Sequence, residues 1–353
     1  MTDEGDAALD GFYAELAAHH LEALWRINTR IMPFSPKPRP RAWLWRAADL
    51  ARLAEQAGKL VPIDRGGDRR VLAAVNPGLV EAYGPSVYGA TATLWAAIQY
   101  LGPHESAPGH RHSPSALRFV VEGSGAWTTV DGERLDMAPG DLVLTPAYAW
   151  HDHQNPSDEP MTWFDGLDLP LACYLDAQFL QFHPSGTLQA PGGGATPPPE
   201  GARPGARSAV LRFPWAETEA ALEARCDDPD PHDDVVVRYT DPATGGPVLP
   251  TVDARIQRLR AGVRTRPHRH VHSVVYQAFR GRGETVIDGV RFRWDRGDIF
   301  AVPPWAAHEH RADGPGDALL FSITDAPVLS ALGLERELAL DTAQTVTGDF
   351  GDR

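Results

Sequence analysis

The chain has 353 residues, with 33 Lys and Arg against 47 Asp and Glu, which gives a formal net charge of −14. This acidity argues against nucleic acid or an anionic membrane surface as the main partner, because both attract basic surfaces. The two cysteines exclude a disulfide framework. The sequence has no apolar leader and no long apolar run, so we expect a cytoplasmic protein without a membrane span.

The N-terminal region, residues 1–65, is predicted to be a helical segment. Phe12, Leu16 and Ala23 recur at roughly helical spacing, and the proline-rich stretch that begins at Pro33 ends the pattern.

The rest of the chain reads mainly as β-structure. Short runs of Val, Thr, Leu and Tyr between Gly, Pro and Asp indicate a first all-β domain at 66–183. Residues 184–208 are rich in Gly and Pro, which predicts a mobile linker. An acidic loop, CDDPDPHDD, interrupts the second β-domain at 209–330. The tail, 331–353, follows, and residues 328–340 are predicted to form a short helix.

An internal repeat relates the two β-domains. GHRH at 109–112 recurs as PHRH at 267–270, and downstream landmarks recur at a nearly constant spacing. These landmarks are Asp131-Gly132 with Asp288-Gly289, Gly140-Asp141 with Gly297-Asp298, Pro146 with Pro303, and His151 with His308. The sequence therefore predicts two copies of one domain.

Histidines within this repeat have the spacing of metal ligands. His110 and His112 point to one face of a strand, and His151 follows a turn that returns the chain beside them. Three neutral imidazoles that leave the opposite side of a metal open suit Fe(II), Mn(II), Zn(II) or Ni(II) and favour catalysis. The candidate second metal site consists of His268, His270 and His308.

These motifs resemble the cupin superfamily, and their duplication implies a bicupin. This is an all-β-dominated fold of two double-stranded β-helix (jelly-roll) barrels, here with an N-terminal helical segment. Tyr148 stands where cupins have a glycine, and Ala116 or Leu117 stands where most have a metal-binding glutamate. The missing carboxylate makes oxalate decarboxylases and germin-like enzymes poor matches.

Longer stretches resemble the gentisate 1,2-dioxygenases, a group that includes salicylate and 1-hydroxy-2-naphthoate dioxygenases. They are HRHSPSALRFVVEGSGAWTTVDGE, DLVLTPAYAWHDHQNP and TWFDGLDLPL. The resemblance implies a homotetramer that uses Fe(II) and O2 to cleave a 2-hydroxybenzoate between its carboxyl-bearing and hydroxyl-bearing carbons. Gentisate, giving maleylpyruvate, is the first expectation. The sequence contains no Gly-rich phosphate-binding loop of the kind that would indicate a nucleotide cofactor.

Two polar residues are expected to act on the substrate. Arg118, placed inward by alternation from the His pair, would bind the substrate carboxylate; the alternative is a surface arginine. His153 shares a strand face with His151 and would bind a substrate oxygen or move a proton; the alternative is a structural hydrogen bond.

Four further residues are candidates for the pocket. Gln99 and Trp95 share a strand face and match pocket residues of the family, although a buried tryptophan is often only core. Asp165 is expected to orient a ligand histidine or glutamine. Arg70 would add positive charge for an anionic ring, with a surface salt bridge as the alternative. Ala97 is an example of a residue expected at the ring wall.

The second histidine set is predicted to bind metal without being the main catalytic site. Asn155 is replaced there by Ala312, and neither Arg118 nor His153 has a counterpart in the same sequence context, although Gln277 and His310 stand nearby. Three rival functions stay open. They are a dioxygenase for salicylates or 1-hydroxy-2-naphthoate, a non-catalytic bicupin that binds a small acid or sugar, and an isomerase-type zinc or manganese cupin.

Overall fold

The computed structural model describes residues 3–63, 70–184, 186, 188–190, 192, 194–205 and 207–351. The expected boundary at 65/66 lies outside the described residues. The chain divides into two compact units, residues 1–37 and 38–353. The first unit contains α1 (Asp3–Ala18) and α2 (Leu24–Ile31), which agrees with the predicted helical character of the N-terminal region. No helix in the described part of the chain has the length and apolar character needed to cross a membrane.

The second unit contains the two β-barrels. It opens with β1 (Trp43–Trp45), α3 (Ala47–Leu60), β2 (Val71–Ala73) and α4 (Pro77–Tyr83). The first barrel continues with β3 (Trp95–Leu101), β4 (Glu105–His112), β5 (Ala116–Glu122), β6 (Trp127–Val130), β7 (Glu133–Asp136), β8 (Leu142–Thr145), β9 (His151–Asn155), β10 (Met161–Leu167), α5 (Leu169–Tyr174) and β11 (Leu180–Phe182).

Nearly the same order of elements then recurs, without a counterpart of α4 among the described residues and with one additional strand at the end. It comprises β12 (Arg212–Phe213), α6 (Trp215–Glu223), β13 (Val235–Arg238), β14 (Asp253–Leu259), β15 (His268–His270), β16 (Val274–Arg280), β17 (Arg282–Ile287), β18 (Val290–Asp295), β19 (Ile299–Val302), β20 (His308–Ala312), β21 (Ala318–Thr324), α7 (Ala326–Ala331), β22 (Glu337–Ala339) and β23 (Gly348–Asp349). The recurrence confirms the predicted bicupin fold.

Each barrel is built from two sheets. The first barrel has the strand orders β12-β8-β5-β10-β3-β2 and β11-β4-β9-β6-β7. The second has β1-β19-β16-β21-β14-β13 and β22-β15-β20-β17-β18-β23. Strand β1 precedes the first barrel but pairs with β19 of the second, and β12 precedes the second barrel but pairs with β8 of the first. The two copies therefore exchange their leading strands.

The repeated Gly-Asp pair anchors the helix that follows each exchanged strand. Asp141 accepts a hydrogen bond from the backbone N–H of Trp215 (2.8 Å), and Asp298 accepts one from that of Ala47 (2.7 Å). These are the first residues of α6 and α3, whose N–H groups have no partner inside the helix. A Cβ on the preceding glycine would lie 2.6 Å from Trp215 in one copy and 2.8 Å from Ala47 in the other. The glycine therefore permits the close approach that the aspartate fixes.

An apolar core lies between the two barrels. Phe119 on β5 stacks on Phe321 of β21 with ring centroids 4.1 Å apart, and both side chains are fully buried. Gly166 allows the sheets to approach closely, because a Cβ there would lie 2.8 Å from Ile323. Alternating residues of the larger sheets thus face either this shared core or the barrel interior.

The structure corrects the expectations for the linker and the tail. Several described residues of 184–208 are tied to the first barrel: Gln189 N–H donates to Asp152 (2.7 Å), and the Pro197 carbonyl accepts from Arg111 (2.9 Å). Pro and Gly content indicates the absence of regular structure but does not report such tertiary hydrogen bonds. In the tail, the helix ends at Ala331 and the chain then forms strands, so the predicted helix at 328–340 is mostly wrong.

Candidate metal centres and substrate site

The first histidine triad lies at one end of the first barrel. His110 and His112 lie on β4, and His151 pairs directly with His110 from β9. One ring nitrogen from each side chain lies within 4.8 Å of those of the other two. The ring centroids are 4.2 Å apart for His110 and His151 and 4.8 Å apart for His112 and His151. This convergence is the geometry that three ligands of one metal ion require.

Backbone carbonyls orient the three imidazoles. The Nδ1 atoms of His110, His112 and His151 lie 3.3, 2.7 and 3.0 Å from the carbonyl oxygens of Pro108, Pro114 and Ala149. A ring that donates from Nδ1 presents the lone pair of Nε2, which is the form that binds metal.

His151 shows that the triad fits a metal ion. Its ring is fully buried, and its Nε2 has no hydrogen-bond partner among the described residues. Burial, followed by the neighbouring histidines, lowers its pKa well below the ordinary value, so the ring is neutral at pH 7. A buried neutral imidazole without a partner is suited to coordinate a cation.

The turn before His151 explains how this chain dispenses with the cupin glycine. Tyr148 adopts the left-handed conformation, with φ at +61°, and its N–H donates to the carbonyl of His112 (2.8 Å). Trp305 does the same in the second barrel, with φ at +65° and a 2.6 Å bond to His270. The backbone shape is retained although each bulky side chain adds strain at a positive φ.

Arg118 lies buried inside the first barrel, with a side chain 4% exposed. Its Nη1 donates to Thr145 Oγ1 (2.5 Å), and its Nε lies 3.5 Å from Asp165 Oδ1 without a hydrogen bond. Its charge also contributes to the lowered pKa values of His151 and His153. The structure therefore places a partly satisfied guanidinium beside the triad.

Asp165 contacts Arg118 instead of a ligand histidine. It accepts a hydrogen bond from Trp163 Nε1 (3.1 Å) and faces Arg118 across the β5–β10 pairing. Burial raises its pKa to about 6, against the opposing influence of Arg118. The expectation that it orients a histidine or glutamine differs from this geometry, in which backbone carbonyls orient the histidines.

His153 is fully buried next to the triad. Its Nδ1 lies 2.8 Å from Thr128 Oγ1, and this hydroxyl donates to the sulfur of Met137 (3.2 Å). Thr128 thus accepts from His153, which leaves Nε2 of His153 with the lone pair. Burial and the charge of Arg118 keep the pKa of the ring well below its ordinary value. Thr128 was missed in the sequence, although Thr285 repeats it at the equivalent position.

The remaining candidates lie on the neighbouring strand β3 or near one of its ends. Gln99 is buried and Trp95 half-buried on β3, where Ala97 pairs with Asp165. Arg70 is also buried, but its guanidinium pairs with Glu105, donates to the carbonyl of Gly58 and lies near Tyr100. The structure thus gives Arg70 a salt bridge, but a buried one and not the surface pair that was the alternative, and Glu105 offsets its charge.

The second triad has nearly the same shape as the first. His268 lies 4.3 Å from His308 and 5.4 Å from His270 between ring centroids, and the three ligand atoms lie within 4.8 Å of one another. Nε2 of His308 is again buried without a partner among the described residues.

The rest of the second site is different. Tyr276 pairs with Ser322 where Arg118 pairs with Asp165, so a neutral phenol takes the position of the guanidinium. His310 lies 2.9 Å from Thr285, as His153 lies beside Thr128, so His310 is the counterpart that sequence context did not reveal. The second barrel conserves the metal geometry but loses the buried arginine.

Comparison with known proteins agrees with this architecture. The chain matches the cupin domain model twice, at residues 97–167 and 255–324. Two barrels, each with a histidine triad at matching positions, define a bicupin with two candidate metal centres.

Full-length relatives identify the family. A gentisate 1,2-dioxygenase of Streptomyces sp is 43% identical, covering 93% of this chain and 94% of the relative. A 5-aminosalicylate 1,2-dioxygenase of Comamonas sp is 38% identical over 99% and 96% of the two chains. The structure of salicylate 1,2-dioxygenase from Pseudoaminobacter salicylatoxidans with gentisate matches with a TM-score of 0.83 and 35% identity, covering 97% and 95%. The chain belongs to the gentisate 1,2-dioxygenase family of ring-cleaving dioxygenases.

Proposed function

We propose that the first barrel cleaves gentisate to maleylpyruvate with O2 and Fe(II), using His110, His112 and His151 as metal ligands. The observation that carries the proposal is the partly satisfied Arg118 buried beside the triad. A buried cation of this kind favours a carboxylate next to the metal, as a 2-hydroxybenzoate would supply. Fe(II) held there would supply the redox chemistry between an electron-rich ring and O2 without an organic cofactor.

The protein's own groups then have separate roles. Arg118 binds the ring carboxylate, and Asp165 limits the cost of burying that arginine before substrate arrives. His153 accepts a hydrogen bond from the ring hydroxyl at Nε2, because its Nδ1 proton is engaged with Thr128. Gln99 and Trp95 complete the wall on β3, and Arg70 contributes by holding Glu105 and α3 in place.

Oxygen consumption tests the function directly. Protein reconstituted anaerobically with Fe(II) should consume one O2 per gentisate, and His110→Ala should abolish this uptake. His104→Ala is the matched control, because His104 is an exposed histidine paired with Asp158. Absence of uptake with gentisate, salicylate and 5-substituted salicylates alike would rule out the dioxygenase.

Salicylates are the second candidate substrates. The matched salicylate dioxygenase structure contains gentisate, so one fold accommodates rings with and without a second hydroxyl. We expect kcat/KM for gentisate to exceed that for salicylate by at least tenfold. The reverse ranking would assign the protein to the salicylate dioxygenases.

The proposal also covers assembly and location. We infer a cytoplasmic homotetramer with an N-terminal helical segment at 1–65, cupin barrels at 66–183 and 209–330, a connecting segment at 184–208 and a tail at 331–353. Large apolar side chains in the N-terminal unit support self-association, since Trp25 and Met32 are 64% and 61% exposed. Sedimentation at micromolar concentration should give four chains, and a monomer would refute the assembly.

A further inference from the structure

His112 of the first triad is connected to a buried carboxylate through a single peptide unit. Its Nδ1 donates to the carbonyl of Pro114 (2.7 Å), and the N–H of the same peptide unit, on Ser115, donates to Asp168 Oδ1 (2.8 Å). The chain of hydrogen bonds therefore runs from carboxylate to peptide to imidazole. The groups in such a chain polarise one another, which strengthens each bond.

His151 is connected to another carboxylate in the same way. Its Nδ1 donates to the carbonyl of Ala149 (3.0 Å), and the N–H of that peptide unit, on Trp150, donates to Asp131 Oδ1 (3.0 Å). The other oxygen of Asp131 pairs with Arg207 (2.6 Å), which offsets its charge. Asp131 therefore contributes mainly to the orientation of the ring.

Asp168 is held in place from the second barrel. Its Oδ2 accepts a hydrogen bond from the hydroxyl of Thr251, which lies two residues before β14. Asp168 directly precedes α5 but makes no capping hydrogen bond to it, although capping is the usual role of an aspartate at this position. Burial raises the pKa of Asp168, and the hydrogen bonds from Thr251 and Ser115 oppose this rise. In the described part of the chain it has no ion-pair partner, so no adjacent cation offsets its charge.

The second barrel repeats the connection from His112. His270 Nδ1 donates to the carbonyl of His272 (2.9 Å), and the N–H of that peptide unit, on Ser273, donates to Asp325 Oδ1 (2.7 Å). The second oxygen of Asp325 accepts from the hydroxyl of Thr93, which lies two residues before β3 of the first barrel. Each barrel thus holds the other's carboxylate through a threonine.

The connection from His151 is also repeated. His308 Nδ1 donates to the carbonyl of Ala306 (3.1 Å), and Ala307 N–H donates to Asp288 Oδ1 (2.9 Å). The residues that supply the peptide units differ between the barrels, whereas the hydrogen-bonded atoms are the same. This agreement indicates that the connections serve the triads and not the packing of particular side chains.

We propose that Asp168 is a positioning residue for a metal ion on the first triad, and that Thr251 of the second barrel holds Asp168 in place. The inference rests on the metal centre proposed above. A divalent ion on three neutral imidazoles has no anion among its protein ligands, so carboxylates hydrogen-bonded behind those ligands stabilise its charge. Asp168 supplies such a carboxylate through the peptide that orients His112. A residue of the second barrel therefore completes the first metal centre.

Metal affinity tests the role of Asp168 without relying on activity. In the His268→Ala background, where the second triad lacks one histidine, Asp168→Asn should weaken Mn(II) binding about tenfold by calorimetry, because it removes the charge and keeps the shape. Asp176→Asn, at an exposed position shortly after α5, should bind as the parent does. Equal affinities for these two variants would remove Asp168 from the metal centre.

The contribution of the second barrel is tested at Thr251. In the same background, Thr251→Val should weaken Mn(II) binding about threefold or more, because it removes the hydroxyl and keeps the volume. Thr251→Ser keeps the hydroxyl and should bind as the parent does. Thr93→Val breaks the matching hydrogen bond to Asp325 and should leave the affinity of the first triad unchanged. Equal affinities for Thr251→Val and Thr251→Ser would remove the second barrel from the first centre.

The rise in Tm on adding Mn(II) provides a second measurement if a double variant does not fold, because binding stabilises the folded state. As single variants, Thr251→Val should show a smaller rise than Thr251→Ser, and equal rises would refute the inference. A parent that binds no Mn(II) would refute the proposed metal centre together with this inference. A parent that binds Mn(II) with the expected ranking of variants, but consumes no O2 with Fe(II) and any hydroxybenzoate, would refute the dioxygenase alone.

Discussion

At the scale of single residues, the sequence pattern locates the histidine triads better than the groups around them. The two-residue spacing of His110 and His112 places both rings on one side of β4, as strand geometry requires. Alternation from these histidines predicts the inward direction of Arg118 that the structure shows, but the turn between β4 and β5 breaks the count, so strand geometry alone does not account for the agreement. The environments of Asp165 and Arg70 depend on partners from other strands, which no local pattern reports.

The paired arrangement of Arg118 predicts a sensitivity to its shape as well as its charge. Arg118→Lys should reduce kcat/KM for gentisate by about tenfold or more, because lysine keeps the charge and loses the planar fork that binds a carboxylate. Initial rates of O2 uptake measure this loss. Arg134→Lys changes an exposed arginine and should leave the rate unchanged. Equal rates for both variants would place the substrate carboxylate elsewhere.

Burial of Asp165 predicts a specific pH dependence of stability. Its pKa rises from 3.8 to about 6 on folding, so between these values the folded state binds more protons than the unfolded state. The free energy of unfolding therefore falls as pH rises from 4 to 6, by up to about 3 kcal/mol from this group.

Asp165→Asn should remove this decline in metal-free protein. Urea unfolding at intervals between pH 4 and 7 measures it, and the exposed Asp136→Asn should follow the wild-type curve. Parallel curves for wild type and Asp165→Asn would contradict the raised pKa.

At the scale of elements, the sequence reveals the repeat but does not predict which contacts the repeated residues make. Gly140-Asp141 and Gly297-Asp298 stand out as repeated pairs, yet each fixes a helix that begins far away in the chain. The sequence likewise marks the missing cupin glycine at Tyr148, whereas only the structure shows that the left-handed turn is kept.

The contact between Asp298 and the start of α3 should stabilise the protein measurably. Asp298 accepts from Ala47 N–H and from Arg46 Nη1 (2.9 Å), and it is nearly fully buried. Asp298→Ala should lower the free energy of unfolding by about 2–4 kcal/mol, because these two donors and the N–H of Asp295 (3.1 Å) lose a buried acceptor. Asp295→Ala, exposed and close by, should cost less than about 1 kcal/mol. Indistinguishable urea midpoints for Asp298→Ala and Asp295→Ala would show that other contacts hold the start of α3.

At the scale of the whole molecule, the sequence predicts the β-dominated fold and its duplication, because landmark spacing survives substitution. It does not predict how the barrels associate. The shared core depends on residues from both copies, such as Phe119 and Phe321, whose sequence separation hides their contact. The exchanged strands β1 and β12 are similarly invisible, since three-residue and two-residue strands carry no periodic signal.

This shared core should make the two barrels unfold together. Phe321→Ala should cost about 3–5 kcal/mol and shift a single calorimetric transition, because the cavity lies between the barrels. Phe34→Ala removes an almost fully exposed ring and should leave this transition in place. Two transitions separated by the mutation would show that the barrels are independent.

The exchanged leading strands also bear on the origin of the chain. Reciprocal exchange of equivalent strands is typical of a domain-swapped homodimer, and joining two such subunits end to end would give the topology found here. Each half therefore depends on the other for an edge strand, and neither half can be removed without exposing an unpaired sheet edge in its neighbour.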